Sequence, residues 1–326
     1  MTRIPLPPMA ILSQDGALAA SAFGDTLNVL DLERASATES QLSHSAGGLA
    51  FSPRGTYLAV AGESQLSLLR PVVPGQVVAI TPLPAPLFRL AAAEEGLVVG
   101  VINFWGERTT LGVWRGEGLR ADFSGEGAPL GRFAPFQCLL DGARERVLLA
   151  GTRGPGAFSG GGERFIALLT LGAGSVAVAW KGEGLPFAPE GLVYPLAEGR
   201  LGVTRGDELV VLALPPEVPA PREVGRVTLA GPEKLVVSPN GAYFAWLNGL
   251  GPGAETRVSL ARASGEIVDQ ATFSGLGSFP CLAVNDVGRV AIVSSERPDR
   301  VRAFWLSNGR LEERLDVTVA AEETES

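Results

Sequence analysis

The segment Gly48-Leu49-Ala50-Phe51-Ser52-Pro53-Arg54-Gly55-Thr56-Tyr57-Leu58-Ala59-Val60-Ala61-Gly62-Glu63-Ser64-Gln65-Leu66-Ser67-Leu68-Leu69-Arg70 holds three short strands and the turns that join them. Leu49 to Phe51 is a short apolar run, Ser52 to Gly55 is a tight turn, and Tyr57 to Ala61 is an aromatic and β-branched run ended by Gly62. Leu66 to Leu69 follows after a second turn. Pro53 fixes its own φ and Gly55 can take positive φ without a Cβ clash, so the chain reverses there and lays two strands side by side.

The same pattern returns along the whole chain. Aligned on the turn glycine before each apolar strand, the copies fall at Gly16, Gly55, Gly96, Gly142, Gly199, Gly241 and Gly288. The intervals are 39, 41, 46, 57, 42 and 47 residues, near the roughly 40 to 50 that four strands per propeller blade require. Lys234 to Trp246 repeats the opening segment most closely, and Cys281 to Val293 carries it in the last unit. The expected fold is all-β, a single seven-bladed β-propeller of four-stranded blades. The blades are placed near 9–42, 47–81, 87–124, 136–181, 191–230, 233–273 and 280–319, with a disordered acidic tail at 320–326. A two-domain β-sandwich array is the competing architecture, and the recurring period favours the ring. Closure has two options: each blade owns all its strands, or Ile4 to Leu6 pairs with the last blade.

Composition agrees with short strands and many turns. Gly 42 and Pro 24 are spread between Val, Leu and Ala runs, and 46% hydrophobic against 19% charged residues supplies a core rather than a disordered chain. The net charge of −8 argues against nucleic acid as a partner. Lys181 and Lys234 are the only lysines, so positive charge is almost all arginine, which favours planar contacts to carboxylates. No stretch is apolar enough to span a bilayer, and Met1 to Pro8 lacks the pattern of a signal peptide. With two cysteines, Cys138 and Cys281, the expectation is a reduced cytoplasmic protein without a disulfide.

The Ser-Pro-x-Gly-x-x-(Leu/Phe)-Ala pattern at Ser52 and Ser238 resembles the inner hairpin of WD40-like β-propellers, including bacterial WD40-like and TolB-type repeat proteins. The resemblance covers nearly the whole chain and is weakest in the fourth and fifth units. No unit carries a Gly-His or a Trp-Asp pair, so the hydrogen-bonded tetrad of standard WD40 repeats is missing. The resemblance implies a scaffold that binds other proteins.

Residues able to do chemistry are few. His44 is the only histidine, which removes His-cluster metal sites and argues against a Ser-His-Asp hydrolase. It is expected to be a solvated loop residue, with a structural hydrogen bond as the next reading. The glycine-rich run Gly151 to Arg164 lacks the Gly-Lys-Ser/Thr ending of a phosphate loop and is expected as a long loop between the second and third strands of blade 4. The pairs Glu94-Glu95 and Glu312-Glu313 sit at turns or strand edges, where solvation is the expected role. No catalytic residue, metal site or cofactor is expected.

In a propeller the loops between second and third strands share one face with the links between blades. That places Phe104, Trp105, Arg108, Arg153, Phe158, Arg164, Arg257, Arg297 and Arg300 on a common rim. Aromatic and arginine side chains dominate binding hot spots, so these residues are the expected contact surface for protein subunits presenting acidic or aromatic segments. The alternative is a lactonase-type propeller enzyme, or a small-molecule binder, using the central channel mouth. No nucleic acid or membrane partner is expected.

Overall fold

Ser52 shows why the repeated motif needs its residue types. In the computed structural model, Ser52 N donates to Tyr57 O and Gly55 N to Ser52 O, both at 2.9 Å, while Ser52 Oγ accepts from Tyr57 N at 3.0 Å. The side chain thus closes the hairpin that Pro53 and Gly55 start. Ser13 does the same with Leu18 N at 2.9 Å, and Ser238 with Tyr243 N at 3.1 Å. In the last unit the carboxamide of Asn285 takes over, accepting from Val287 N and Arg289 N. Ser13, Ser52 and Ser238 are fully buried, so an unpartnered hydroxyl there would be costly.

The structure describes residues 9–71, 76–104, 108–123, 128–159, 162–172, 175–181, 193–196, 200–213, 221–229, 233–238, 242–250, 253–262, 264–276, 280–297 and 300–318. Blade 1 is β1 (Met9–Leu12), β2 (Leu18–Phe23), β3 (Thr26–Asp31) and β4 (Ser36–Gln41). Blade 2 is β5 (Gly48–Phe51), β6 (Leu58–Ala61), β7 (Gln65–Arg70) and β8 (Gln76–Pro82). Blade 3 is β9 (Leu87–Ala92), β10 (Val98–Phe104), β11 (Arg108–Arg115), β12 (Arg120–Ala121) and β13 (Ala128–Gly131). Blade 4 is β14 (Phe133–Asp141), β15 (Arg146–Arg153), β16 (Glu163–Gly172) and β17 (Ser175–Lys181). Blade 5 is β18 (Val193–Leu196), β19 (Arg200–Arg205), β20 (Glu208–Ala213) and β21 (Arg222–Thr228). Blade 6 is β22 (Lys234–Val237), β23 (Tyr243–Asn248), β24 (Glu255–Arg262) and β25 (Ile267–Ser274). Blade 7 is β26 (Cys281–Val284), β27 (Val290–Arg297), β28 (Arg300–Ser307) and β29 (Arg310–Thr318).

Every sheet is an antiparallel meander in sequence order, and together they form a seven-bladed β-propeller. In blade 3 the fourth place is split. β12 pairs with the end of β11 and β13 with its start, so this sheet reaches Gly131, past the span near 87–124 read from sequence. The turn-rich residues 122–127 look like the end of a blade, but the chain resumes pairing at Ala128. Residues 1–8, Gly199, 239–241 and 319–326 lie outside the described residues.

First strands form the inner ring: β1 packs on β5, β5 on β9, β9 on β14, β14 on β18, β18 on β22, β22 on β26, and β26 on β1. Second and third strands are buried on both faces, as in β6 and β7, whereas an outer strand such as β4 is largely exposed. That gradient follows from radial stacking, because middle strands have a neighbouring blade on each side.

Each junction between blades has its own apolar cluster. Leu58 and Val60 meet Ala20 and Leu27 of blade 1, and Leu66 and Leu68 meet Val98 and Ile102 of blade 3. Val99 and Leu111 meet Val147 and Leu149, Ile166 meets Val203 and Val210, and Leu209 meets Trp246. Leu247 and Val258 meet Ile292 and Phe304, and the last cluster joins Ala291, Val293 and Val301 to Ala19, Leu30 and Leu32. Burying one such aliphatic side chain contributes about 1.5–3 kcal/mol. Gly55 lies at one of these junctions: its φ is +71°, and a Cβ there would sit 2.7 Å from Leu18 Cδ1 of blade 1.

Candidate functional site

At the corner of blades 3 and 4, two hairpins and one link converge. In blade 3, Phe104 closes β10 and Arg108 opens β11 as a register pair, with the Arg108 guanidinium carbon 4.7 Å from the Phe104 ring centre. The neighbouring Thr109 is buried, and its Oγ1 lies 3.0 Å from Gly131 O and 3.1 Å from Phe133 O. That shared donation ties the blade 3 hairpin to the segment entering blade 4.

Blade 4 builds the other side. Strand pairing extends through Arg153 on β15 and from Glu163 on β16, so the expected long loop from Gly151 to Arg164 is shorter. Its described part is held in place: Gly154 N donates to Arg132 O at 2.9 Å, Ala157 N to Gly154 O at 3.1 Å, and Thr152 Oγ1 to Ala157 O at 2.8 Å. A one-turn helical segment, Ala157–Ser159, carries Phe158, which is 37% exposed.

Arg153 is positioned by an aromatic stack. Phe133 and Phe165 meet edge to face with centroids 6.0 Å apart, and the Arg153 guanidinium carbon lies 4.3 Å from the Phe165 centroid. Arg153 Nε also donates to Glu163 Oε2 at 3.3 Å. An open groove of about 430 Å3 runs beside it, lined by Leu130, Arg132, Arg153, Gly154, Pro155 and Glu163.

The structure therefore brings Phe104, Arg108, Arg153 and Phe158 onto adjoining hairpins. Arg164 pairs with Thr152 in the same hairpin, and Trp105 lies outside the described residues. The remaining rim residues stand on blades 6 and 7. Arg257 is exposed and pairs in register with Asn248. Arg297 and Arg300 are partners across the β27–β28 hairpin. Arg300 is already engaged: its guanidinium donates through Nε to Asp316 Oδ1 at 2.7 Å and through Nη2 to Asp316 Oδ2, holding that carboxyl below its ordinary value.

Arg132 is a lining residue outside the expected rim. It lies in a link between blades and not in a loop between second and third strands. Its signal was position alone, a basic residue just before the first strand of a blade on the face that such links share.

His44 is not a freely solvated loop residue. Its Nε2 lies 2.9 Å from Ser67 Oγ on β7 and its Nδ1 3.2 Å from Ser45 O, the structural role given second place above. Gly62 makes room for it, since a Cβ there would meet His44 Nδ1 at 2.5 Å. Cys138 and Cys281 are free thiols on β14 and β26. Burial pushes the Cys138 thiol up to about 12, with Arg89 acting weakly the other way. Glu94 accepts from Arg54 N, Glu312 pairs with Arg314 at 3.0 Å, and Glu313 pairs with Arg302. Among the described residues, no three His, Cys, Asp or Glu side chains converge so as to hold a metal ion. No described helix is long and apolar enough to cross a membrane.

No protein-family model and no curated protein matches this chain. Solved propellers do. The β-propeller domain of Cps50 (Swd1) from Myceliophteria thermophila is similar with 14% identity and a TM-score of 0.58, covering 94% of this chain and 98% of its own. The WD40 β-propeller domain of Doa1 is similar with 11% identity and a TM-score of 0.54, covering 95% and 99%. Hydrazine synthase from Kuenenia stuttgartiensis is similar with 14% identity and a TM-score of 0.55, covering 79% and 84%. WD40 β-propeller domains are thus among the structural neighbours, and at these identities the likeness establishes the fold alone.

Proposed function

We propose that this chain is a non-catalytic scaffold, a WD40-like propeller subunit of a bacterial cytoplasmic assembly, that holds protein partners on its loop-bearing face. The observation that carries the reading is the corner of blades 3 and 4. There Arg108, Arg132 and Arg153, with the exposed Phe158, gather on a protein whose net charge is −8. Arginine and aromatic side chains are the types that carry interface energy. The hydrogen bonds that hold Gly154 and Ala157 mean that little ordering remains to be done on binding. Arg257, Arg297 and Arg300 extend the same face on blades 6 and 7, with Trp105 and Arg164 as further contacts in the proposed surface.

A channel-mouth enzyme is less well supported. The only histidine is engaged with Ser67 on the third strand of blade 2, whereas first strands line the channel.

The test is affinity purification of the tagged protein from its native host, followed by mass spectrometry. A partner in stoichiometric amount is expected, and it is expected to be lost in an Arg153→Ala/Phe158→Ala variant whose melting curve matches the wild type. Retention of the partner by that variant would move the binding surface elsewhere. A protein that elutes alone and turns over ester or lactone substrates would overturn the scaffold reading.

A further inference from the structure

Resting on the scaffold reading, we propose that the groove between blades 3 and 4 is the recognition site for a short acidic peptide in which a carboxylate neighbours an apolar side chain. Among the described residues, two guanidiniums, Arg132 and Arg153, line this groove against one carboxylate, Glu163. The chain as a whole has 35 acidic and 27 basic residues, so this described lining is richer in cations than the chain average.

Arg153 is preorganised, with its guanidinium over the Phe165 ring at 4.3 Å. Its only carboxylate contact among the described residues is Glu163 at 3.3 Å, with the two side chains 40% and 72% exposed. Such an exposed, long pair contributes little and is readily exchanged for a better one. An incoming carboxylate displaces Glu163 and bridges Arg153 to Arg132, and planar guanidiniums suit that contact. Leu130 and Pro155 supply the apolar wall beside them.

The size and charge select the ligand class. An open groove of about 430 Å3 matches a short segment in size. Among the described residues, two arginines with an opposing glutamate, on a body of net charge −8, do not provide the run of cations that a nucleic-acid strand needs. Glu163 acts as an internal competitor that sets the affinity.

The test measures fluorescence anisotropy with the full chain and three labelled probes: the hexapeptide Glu-Leu-Asp-Leu-Glu-Leu, the same peptide with lysine at each acidic position, and an oligothymidylate. The acidic peptide is expected to bind and to weaken with added salt, while the lysine peptide and the oligonucleotide do not bind. Arg132→Ala and Arg153→Ala are each expected to weaken binding about tenfold, and Glu163→Gln to tighten it about threefold. Glu163→Gln guards against misfolding, because a damaged protein would not gain affinity. Absence of binding by the acidic peptide, equal binding of the lysine peptide, tighter binding of the oligonucleotide, or no gain in Glu163→Gln would each overturn the proposal. A stoichiometric partner that still co-purifies with the Arg132→Ala/Arg153→Ala variant would leave the scaffold reading standing and sink this site. Peptide binding as expected, with no co-purifying partner, would do the reverse.

Discussion

Cys281 Sγ donates to the main-chain oxygen of Ala10 at 2.6 Å, joining residues 271 positions apart in sequence. The two lie on β26 and β1, the innermost strands of the last and first blades, so the contact crosses the seam of the ring. Around it, Arg289 pairs with Glu33 at 3.0 Å, and the Trp305 ring lies 4.2 Å from the Arg289 guanidinium carbon and 4.0 Å from that of Arg314. Among the described residues no strand is shared between blades 1 and 7, and side-chain packing joins the two blades across this seam. Ile4 to Leu6, the other closure considered, lies outside the described residues.

Cys281→Ala is expected to lower unfolding free energy by about 1–2 kcal/mol, through a lost donor and a small cavity. Cys281→Ser keeps a donor and is expected to lose less. Urea midpoints measure both. Equal losses would show that the hydrogen bond to Ala10 contributes nothing.

Two glycines separate backbone strain from close packing. Gly24 has φ +60° with open space around a Cβ, while Gly55 has φ +71° with Leu18 Cδ1 2.7 Å away. Gly24→Ala is expected to cost about 1 kcal/mol from conformation alone, and Gly55→Ala about 1–3 kcal/mol more from overpacking. Thermal melts that rank them the other way would contradict the junction described between blades 1 and 2.

Glu117 links acid stability to the junction of blades 2 and 3. The Tyr57 hydroxyl donates to Glu117 Oε1 at 2.7 Å and Arg70 also donates to it, and these hold the carboxyl below its ordinary 4.5, Tyr57 most strongly. A depressed folded pKa contributes stability that is present above pH 4.5 and lost as pH falls through the folded value. Tyr57→Phe is expected to raise the Glu117 titration toward 4.5, read by carboxyl carbon NMR, and to make the acid loss of stability shallower. An unchanged titration would rule out the hydroxyl as the main cause.

Cys138 has the opposite sign. Burial raises its thiol to about 12 from 9.0, so its contribution is complete below pH 9 and is lost as pH rises toward the folded value. The loss is about 1 kcal/mol per pH unit in that window. Cys138→Ala is expected to flatten the alkaline limb of the stability curve, and equal limbs in both proteins would contradict it.

The ring was legible because its period is written in local chemistry. Ser52-Pro53-Arg54-Gly55 and Asn285-Asp286-Val287-Gly288 use different side chains for one hairpin closure, and the glycine reveals both. The split fourth place of blade 3 is hidden in the sequence, since the turn-rich residues 122–127 look like the end of a blade. Of the residues on the adjoining hairpins of blades 3 and 4, Phe104, Arg108, Arg153 and Phe158 are legible from loop position. Arg132 and the Phe133–Phe165 stack under Arg153 are not, because contacts between a link and a neighbouring blade leave no spacing in the sequence. The His44 contact is not legible in the sequence, because Ser67 is 23 residues away and only the fold brings the pair to 2.9 Å.

The most direct measurement is amide hydrogen exchange on the purified complex with the co-eluting partner, compared with the free protein. Slowed exchange is expected in the hairpins around Arg108 to Leu111 and Arg153 to Phe165, at the corner of blades 3 and 4. The competing surface is the outer strands β8 and β25, where Val77 is 42%, Ile80 48%, Ile267 55% and Val268 45% exposed. Protection confined to those strands, with the blade 3 and 4 hairpins exchanging as in the free protein, would contradict the account.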